Sequence, residues 1–183
     1  QLQLFMLIPR RLPAHIRDLA NFFPAISLTG PRQAGKTTLL KEMFPDYKYV
    51  SLENPTIRLA AKSDPASFLA EYNDKVIFDE AQRFPDLFSY LQGMIDEDRR
   101  PGRFILSGSQ NFLLRKNISQ SLAGRIGIVK LLPLDNTELK NASILADTFE
   151  EAILTGGYPG LINEGYPREA FYSSYAASYS TIT

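Results

Sequence analysis

Residues 25–41 read Ala-Ile-Ser-Leu-Thr-Gly-Pro-Arg-Gln-Ala-Gly-Lys-Thr-Thr-Leu-Leu-Lys and contain the spacing G-x-x-x-x-G-K-T from Gly30 to Thr37. The apolar run before Gly30 predicts a short strand, and the helix formers that follow predict a helix. A tight turn between a strand and a helix gathers backbone N–H groups into a cup for an anion. The positive end of the helix dipole points at the same place. This stretch therefore predicts a loop that binds the phosphates of a nucleotide.

The side chains of this loop are expected to have separate tasks. Gly30 and Gly35 let the backbone turn and approach the phosphates without a Cβ in the way. Lys36 would neutralise charge on the β and γ phosphates, and the Thr37 hydroxyl would ligate Mg²⁺. The residues expected to contact the nucleotide are Gly30, Pro31, Arg32, Gln33, Ala34, Gly35, Lys36, Thr37 and Thr38. The alternative is an ordinary glycine-rich turn between a strand and a helix.

A second informative stretch is Lys-Val-Ile-Phe-Asp-Glu at residues 75–80. Its three apolar residues predict a buried strand of a parallel sheet, which delivers two carboxylates to the edge where such sheets bind ligands. We expect Asp79 to hold Mg²⁺, through one of its waters, and Glu80 to orient and polarise the attacking water. The alternative is a strand that runs into a solvated acidic turn.

The order of predicted elements indicates an α/β fold. Strands are predicted at 25–29, 47–52, 75–80, 104–107 and 126–132. Helices are predicted at 8–23, 36–43, 56–62, 65–72, 86–97, 112–123, 136–141, 149–154 and 167–183, with Asp64 as a cap. Helical segments between successive strands predict a parallel sheet covered on both faces, a three-layer αβα arrangement. We assign residues 1–134 to this core and residues 135–183 to a helical appendage.

Two further polar residues stand next to predicted strands. Gln110, slightly ahead of Ser109, is a candidate to contact the attacking water or the γ phosphate; the alternative is a helix cap at Ser109 or Asn111. Arg125 precedes the last strand, where an arginine can stabilise transition-state charge in cis or in trans. A surface salt bridge is the alternative for Arg125.

Residues 135–183 carry local signals of helix ends. Asp135-x-x-Glu138 and Thr148-x-x-Glu151 resemble capping boxes, and residues 156–160, Gly-Gly-Tyr-Pro-Gly, predict a tight turn. An aromatic stripe then follows at helical spacing, formed by Phe171, Tyr172, Tyr175 and Tyr179. We interpret the stripe as a packing surface; the alternative is a platform for stacking bases.

Composition excludes several classes of protein. The 183 residues have a formal net charge of zero, which argues against a strongly basic nucleic-acid binder but allows a local patch. The absence of cysteine excludes disulfides and thiolate zinc sites, and it fits a reducing compartment. The apolar run at residues 2–8 is too short to span a bilayer, so we expect a cytoplasmic protein with no membrane partner. Because the chain begins at Gln1 and stops within a predicted helix, we expect a fragment.

Together the motifs resemble the prokaryotic AAA-type ATPases, a group related to AAA+ and STAND proteins with a poorly characterised C-terminal region. The motifs that carry the resemblance are Gly-Pro-Arg-Gln-x-Gly-Lys-Thr-Thr at 30–38, Phe-Asp-Glu-Ala-Gln at 78–82, Leu-Ser-Gly-Ser-Gln at 106–110 and Ser-Leu-Ala-Gly-Arg at 121–125. The resemblance covers residues 8 to about 179. It implies the sheet order 5-1-4-3-2, Gln110 in the sensor 1 place and Arg125 in the arginine-finger position.

The resemblance also implies partners. Gly156-Gly157-Tyr158-Pro159 looks like the turn that contacts adenine in related signalling ATPases, so Tyr158 and Pro159 join the expected nucleotide contacts. A homo-oligomer with Arg125 acting in trans is implied, as is a DNA or protein partner reached through a C-terminal region that continues beyond this sequence.

The expected function is hydrolysis of the β–γ bond of Mg·ATP, coupled to an effector. One alternative is a small-molecule kinase, which needs an acceptor pocket and an arginine-rich lid; the sequence shows no such lid. The other is a slow nucleotide-dependent switch or scaffold that acts on a protein or DNA partner.

Overall fold

The structure, a computed structural model, describes residues 8–109 and 120–180, with side chains described as far as residue 177. Two compact units make up the described chain. The larger unit is formed by residues 12–131, and the smaller unit by residues 8–11 together with residues 132–180. In both described ranges, every helix is too short or too polar to traverse a lipid bilayer.

The larger unit has the predicted α/β order. Its elements are α1 (Leu12–Ala20), β1 (Ala25–Thr29), α2 (Lys36–Met43), β2 (Lys48–Ser51), α3 (Pro55–Ser63), α4 (Pro65–Glu71), β3 (Val76–Asp79), a 3-10 turn (Ala81–Arg83), α5 (Leu87–Glu97), β4 (Phe104–Gly108) and β5 (Ile126–Lys130). The predicted cap of α4 is confirmed, since the Asp64 side chain accepts from the Ser67 N–H. Of the helix predicted at 112–123, residues 112–119 lie outside the described residues, and residues 120 and 121 are helical.

The five strands form one parallel sheet in the order β2-β3-β4-β1-β5. This order confirms the 5-1-4-3-2 arrangement. Every residue of β1, β3 and β4 is buried, as expected for inner strands covered on both faces. All five carboxyl ends point to one edge, because the strands are parallel. β1 and β3 therefore deliver the loop at 30–38 and Asp79 to the same edge of the sheet.

Strand alternation divides the core into two layers. In β3, Val76 and Phe78 face one hydrophobic cluster, whereas Ile77 faces the other. The first cluster is completed by residues from α3, α4 and α5, and the second by residues from α1 and α2. The sheet is therefore sandwiched between two helical layers.

The smaller unit is helical, with α6 (Asn136–Asn141), α7 (Phe149–Thr155), α8 (Pro159–Glu164) and α9 (Arg168–Ser180). The capping box at α6 is confirmed, because Asp135 accepts from the Glu138 N–H and Glu138 accepts from the Asp135 N–H. At α7, Thr148 accepts from the backbone of Glu151. The division into domains at residue 134 stays a prediction.

Two features of the smaller unit differ from the sequence expectation. The predicted turn at 156–160 is shorter than expected, because Pro159 already begins α8. Proline is favoured at the first helical position, where its fixed φ fits and its missing N–H costs nothing. Residues 8–11 also pack in this unit, since Arg10 pairs with Glu138 over 3.1 Å and the Arg11 N–H donates to Glu138 over 2.8 Å.

Candidate functional site

The loop at residues 30–38 connects the carboxyl end of β1 to α2. Gly30 has no room for a side chain, because a Cβ there would lie 2.0 Å from the backbone oxygen of Leu131. Gly35 precedes α2 with φ +90°, a left-handed conformation that glycine adopts without strain. Both glycines are thus required by the backbone path, which delivers the first N–H groups of α2 to the carboxyl edge of the sheet.

Lys36 closes the loop on itself. Its side chain is 7% exposed, and its Nζ donates to the carbonyl oxygens of Gly30 over 2.9 Å and Pro31 over 2.7 Å. These bonds satisfy a buried ammonium that would otherwise be costly to desolvate. Of the other loop residues, Gln33 and Thr38 are exposed, Ala34 is buried, and Pro31, Arg32 and Thr37 are half-buried. Lys36 therefore places a cation directly at the loop.

The structure brings Thr37 and Asp79 together, as the sequence predicts. The Thr37 hydroxyl donates to Oδ2 of Asp79 over 2.9 Å, and Asp79 is only 7% exposed. Asp79 is the last residue of β3, so its carboxylate stands at the carboxyl edge of the sheet. A hydroxyl and a carboxylate next to a lysine and a helix N-terminus suit a ligand that carries phosphate and a divalent cation.

Three further groups surround the Asp79 carboxylate, and two of them come from side chains that the sequence analysis did not assign to the site. Tyr49 on β2 donates to Oδ2, and Ser107 on β4 donates to Oδ1. The backbone N–H of Glu80 also donates to Oδ1, over 3.1 Å. Burial, and then the hydrogen bond to Asp79, raise the pKa of Tyr49 well above its ordinary value. For Ser107 a signal was available, because the expected sheet order places β4 next to β3.

Glu80 follows the strand in a left-handed conformation, φ 54° and ψ 44°. Its Oε2 accepts hydrogen bonds from the Gln82 side-chain amide and from the Ser109 hydroxyl, the latter over 3.1 Å. Ser109 thus bonds to Glu80, and Gln82 is a partner that the sequence analysis did not identify. Gln110, the favoured candidate at the end of β4, lies outside the described residues.

Arg125 lies at the opposite edge of the sheet. Its backbone oxygen accepts from the N–H of Ala25, the first residue of β1, over 3.3 Å. Its guanidinium pairs with both carboxylate oxygens of Asp96, over 2.8 Å and 2.9 Å. This hydrogen bond lowers the pKa of Asp96. The length of β1, about 16 Å, separates Arg125 from the loop of the same chain. The action of Arg125 on the loop of a neighbouring subunit stays a prediction.

The Tyr158 ring is packed within the smaller unit. It contacts the rings of Phe171, Tyr172 and Tyr175 at centroid distances of 5.6, 6.3 and 4.9 Å. Its hydroxyl donates to the Tyr175 hydroxyl over 3.1 Å. For these three residues the aromatic stripe is therefore a packing surface, while the side chain of Tyr179 lies outside the description. The contact of Tyr158 and Pro159 with adenine stays a prediction.

The chain is similar in sequence to a known protein family and to two mycobacterial proteins. The sequence matches the AAA domain family over residues 23–140. Uncharacterised proteins of Mycobacterium bovis and Mycobacterium tuberculosis are each 36% identical over 158 residues. Those matches cover 84% of this chain and 34% of each mycobacterial protein, so the chain spans about a third of the length of these relatives.

Solved structures share the fold at low sequence identity. The Walker-type ATPase PABY2304 of Pyrococcus abyssi has a TM-score of 0.59 at 20% identity, covering 84% of this chain and 65% of that one. The STAND protein PH0952 of Pyrococcus horikoshii, with a tetratricopeptide repeat sensor, has a TM-score of 0.54 at 17% identity, covering 86% and 29%. AMPPCP-bound DnaA from Aquifex aeolicus has a TM-score of 0.51 at 15% identity, covering 80% and 55%.

Proposed function

Because the chain belongs to the prokaryotic AAA-type P-loop ATPases, we propose that it binds Mg·ATP at residues 30–38 and hydrolyses the β–γ bond. The single observation that carries the proposal is the hydrogen bond from Thr37 to Asp79. It joins a phosphate-binding loop to an acidic strand end, so one small region holds groups for both a polyphosphate and its cation. ATP and Mg²⁺ are the proposed cofactors.

The loop is proposed to hold the phosphates electrostatically. The first N–H groups of α2 have no acceptor within the helix, and the helix dipole makes its N-terminus attractive to anions. Lys36 already lies against the loop, so its ammonium needs only to exchange carbonyl oxygens for phosphate oxygens. The turn at Tyr158 and Pro159 is proposed to contact the adenine.

The residues at the edge of β3 fit a magnesium ion. Thr37 and Asp79 offer a hydroxyl and a carboxylate, the hard oxygen ligands that Mg²⁺ prefers alongside substrate phosphates. Within residues 8–109 and 120–180, no group of three or more acidic, histidine or cysteine side chains could hold a metal ion without the nucleotide. When bound, Mg²⁺ neutralises charge that develops on the β and γ phosphate oxygens.

Glu80 is proposed to orient and polarise the attacking water. Its carboxylate is held at the carboxyl edge of the sheet by Gln82 and Ser109. A fixed carboxylate near the loop can accept a proton from water as the phosphorus–oxygen bond breaks. Gln110 is proposed to contact the γ phosphate, and Arg125 of a neighbouring subunit to stabilise transition-state charge in a homo-oligomer.

A second candidate function is a slow nucleotide-dependent switch in the cytoplasm that acts on a protein or DNA partner. The observation that favours it is the pair of hydrogen bonds on Oε2 of Glu80, because an oxygen that already accepts from two donors has no lone pair left for a water. The chain spans about a third of the length of its curated relatives, so the partner itself is a proposal.

Phosphate release from ATP tests the proposal. Glu80→Gln is expected to keep ATP binding and to lose turnover, while Glu42→Gln, an exposed glutamate of α2, is expected to match the parent. Release without an added acceptor favours the ATPase over a small-molecule kinase. Single-turnover hydrolysis far slower than nucleotide exchange favours the switch, and turnover of Glu80→Gln at the parent rate contradicts the role of Glu80.

A further inference from the structure

The Asp79 carboxylate receives four hydrogen bonds. Its Oδ1 accepts from the Ser107 hydroxyl and the Glu80 N–H, and its Oδ2 accepts from the hydroxyls of Thr37 and Tyr49. A carboxylate has about four lone-pair positions in total, two on each oxygen. In this conformation every acceptor position of Asp79 is engaged.

A water of bound Mg²⁺ that donates to Asp79 therefore needs one of these donors to leave. The Ser107 side chain is fully buried in β4, and the Glu80 N–H belongs to the backbone. Thr37 keeps its hydrogen-bond donor even when its oxygen ligates a metal, because a hydroxyl has lone pairs as well as a proton. Tyr49 is only half-buried. It is thus the donor whose departure disturbs the fold least.

We propose that Tyr49 is a gate on Asp79: its hydroxyl occupies the acceptor position that a magnesium-bound water takes, and Mg·ATP binding displaces it. This inference rests on the proposed function, since it concerns the same metal. Tyr49 is thus a positioning residue. It sets how strongly the metal contributes to nucleotide binding, and it takes no part in the chemical step.

The surroundings of the Tyr49 ring support a local displacement. Lys41 Nζ lies 3.8 Å from the ring centroid, and the ring packs against the hydrophobic cluster beneath α2. Thr37, which shares Oδ2 of Asp79 with the Tyr49 hydroxyl, and Lys41, which contacts the Tyr49 ring, are one helical turn apart on α2. Because the phenolic oxygen is fixed to the ring, the hydroxyl leaves Asp79 when the half-buried ring shifts.

Tyr49 could instead assist metal binding, and removal of its hydroxyl would then change the effect of Mg²⁺ on nucleotide affinity in the opposite direction. If the hydroxyl served to hold Asp79 in its metal-binding orientation, its removal would weaken the effect of Mg²⁺ on nucleotide binding. If the hydroxyl is a competitor, its removal strengthens that effect. Tyr49→Phe separates the two, because phenylalanine keeps the ring and its contact with the Lys41 ammonium.

The chain offers a matched control in Tyr47. It precedes β2 by one residue, its ring also packs on the cluster beneath α2, and its hydroxyl donates to the carbonyl of Gly102. Tyr47→Phe removes the same atom and a hydrogen bond of similar geometry, but from a partner outside the site. Thermal unfolding of both variants measures the loss of stability that hydroxyl removal causes by itself.

The experiment measures the affinity of a fluorescent, non-hydrolysable ATP analogue with excess Mg²⁺ and with EDTA. The dissociation constant in EDTA divided by the dissociation constant with excess Mg²⁺ reports the contribution of the metal. We expect Tyr49→Phe to raise this ratio about tenfold, the size of one hydrogen bond to a charged group, and Tyr47→Phe to leave it at the parent value. An unchanged or lower ratio for Tyr49→Phe overturns the gate. A parent protein that does not bind the analogue at all overturns the proposed function, and the gate with it.

Discussion

The Thr37 hydroxyl donates to Oδ2 of Asp79, although 42 positions of sequence separate the two residues. β4 lies between β1 and β3 in the sheet, so the chain that leaves β1 must pass over the carboxyl end of β4 to make this contact. β3 and β4 are direct neighbours, which explains why Ser107 and Ser109, at the end of β4, bond to Asp79 and Glu80. The site is therefore built from three strand ends and one helix N-terminus.

The contact of Gly30 with Leu131 predicts the effect of a single methyl group. Gly30→Ala places a Cβ 2.0 Å from a backbone oxygen, so the loop must shift and nucleotide affinity should fall at least tenfold. The matched control is Gly93→Ala on α5, where a Cβ meets nothing within 4 Å. That variant should gain about 0.5–1 kcal/mol of unfolding free energy, because alanine is the better helix former. Fluorescence titration and urea unfolding measure both effects, and full affinity in Gly30→Ala would contradict the proposed loop geometry.

The position of Arg125 at the far edge of the sheet predicts complementation between subunits. Lys36→Ala should not bind ATP, and Arg125→Ala should bind but not hydrolyse it. If Arg125 acts in trans, a mixture of the two variants pairs an intact loop with an intact arginine and regains part of the parent phosphate release.

The control for this experiment is Asp96→Asn, which removes the ion-pair partner of Arg125 and leaves the arginine in place. It should retain hydrolysis. Parent-like hydrolysis by Arg125→Ala alone would contradict the role in trans and would leave Arg125 only its pair with Asp96.

The capping box of α6 predicts a pH-dependent stability. A hydrogen bond from the Glu138 N–H lowers the pKa of Asp135 below its ordinary value near 3.9. A depressed folded-state pKa means that the contribution of Asp135 is complete above the unfolded value and is lost as the pH falls through the folded value. Asp135→Ala should cost about 1 kcal/mol at pH 7 and less at pH 2, as measured by urea unfolding. An equal loss at both pH values would contradict the assignment of the charged cap.

Much of the fold follows from the sequence because its signals are local. Buried apolar runs predict β1, β3 and β4 to within a residue or two, and Asp64 and Asp135 mark helix starts through bonds to residues three positions away. The order of strands comes from resemblance. Since parallel strands deliver their carboxyl ends to one edge, the meeting of Thr37 with Asp79 is also predictable.

What the sequence could not predict depends on contacts between distant elements. The reach of the Tyr49 hydroxyl to Asp79 depends on the register of β2 against β3, in which Ser51 and not Tyr49 faces Asp79. The bond from Gln82 to Glu80 depends on the left-handed conformation of Glu80. The sequence gives no sign of this conformation, because the residue that adopts it is not glycine. The position of Arg125, unlike those of Tyr49 and Gln82, could have been deduced from the sequence. A residue that precedes a parallel strand lies at the amino end of the sheet, opposite the carboxyl edge where ligands bind.

Isothermal titration of Mg·ATP into the parent, Lys36→Ala and the exposed control Lys62→Ala tests the central claim most directly. Lys36 is the cation whose ammonium bonds to the loop, so its loss removes that positive charge from the proposed phosphate site. We expect the parent and Lys62→Ala to bind Mg·ATP with equal affinity and Lys36→Ala to give no measurable heat of binding. Unchanged affinity in Lys36→Ala would contradict the assignment of residues 30–38 as the nucleotide site.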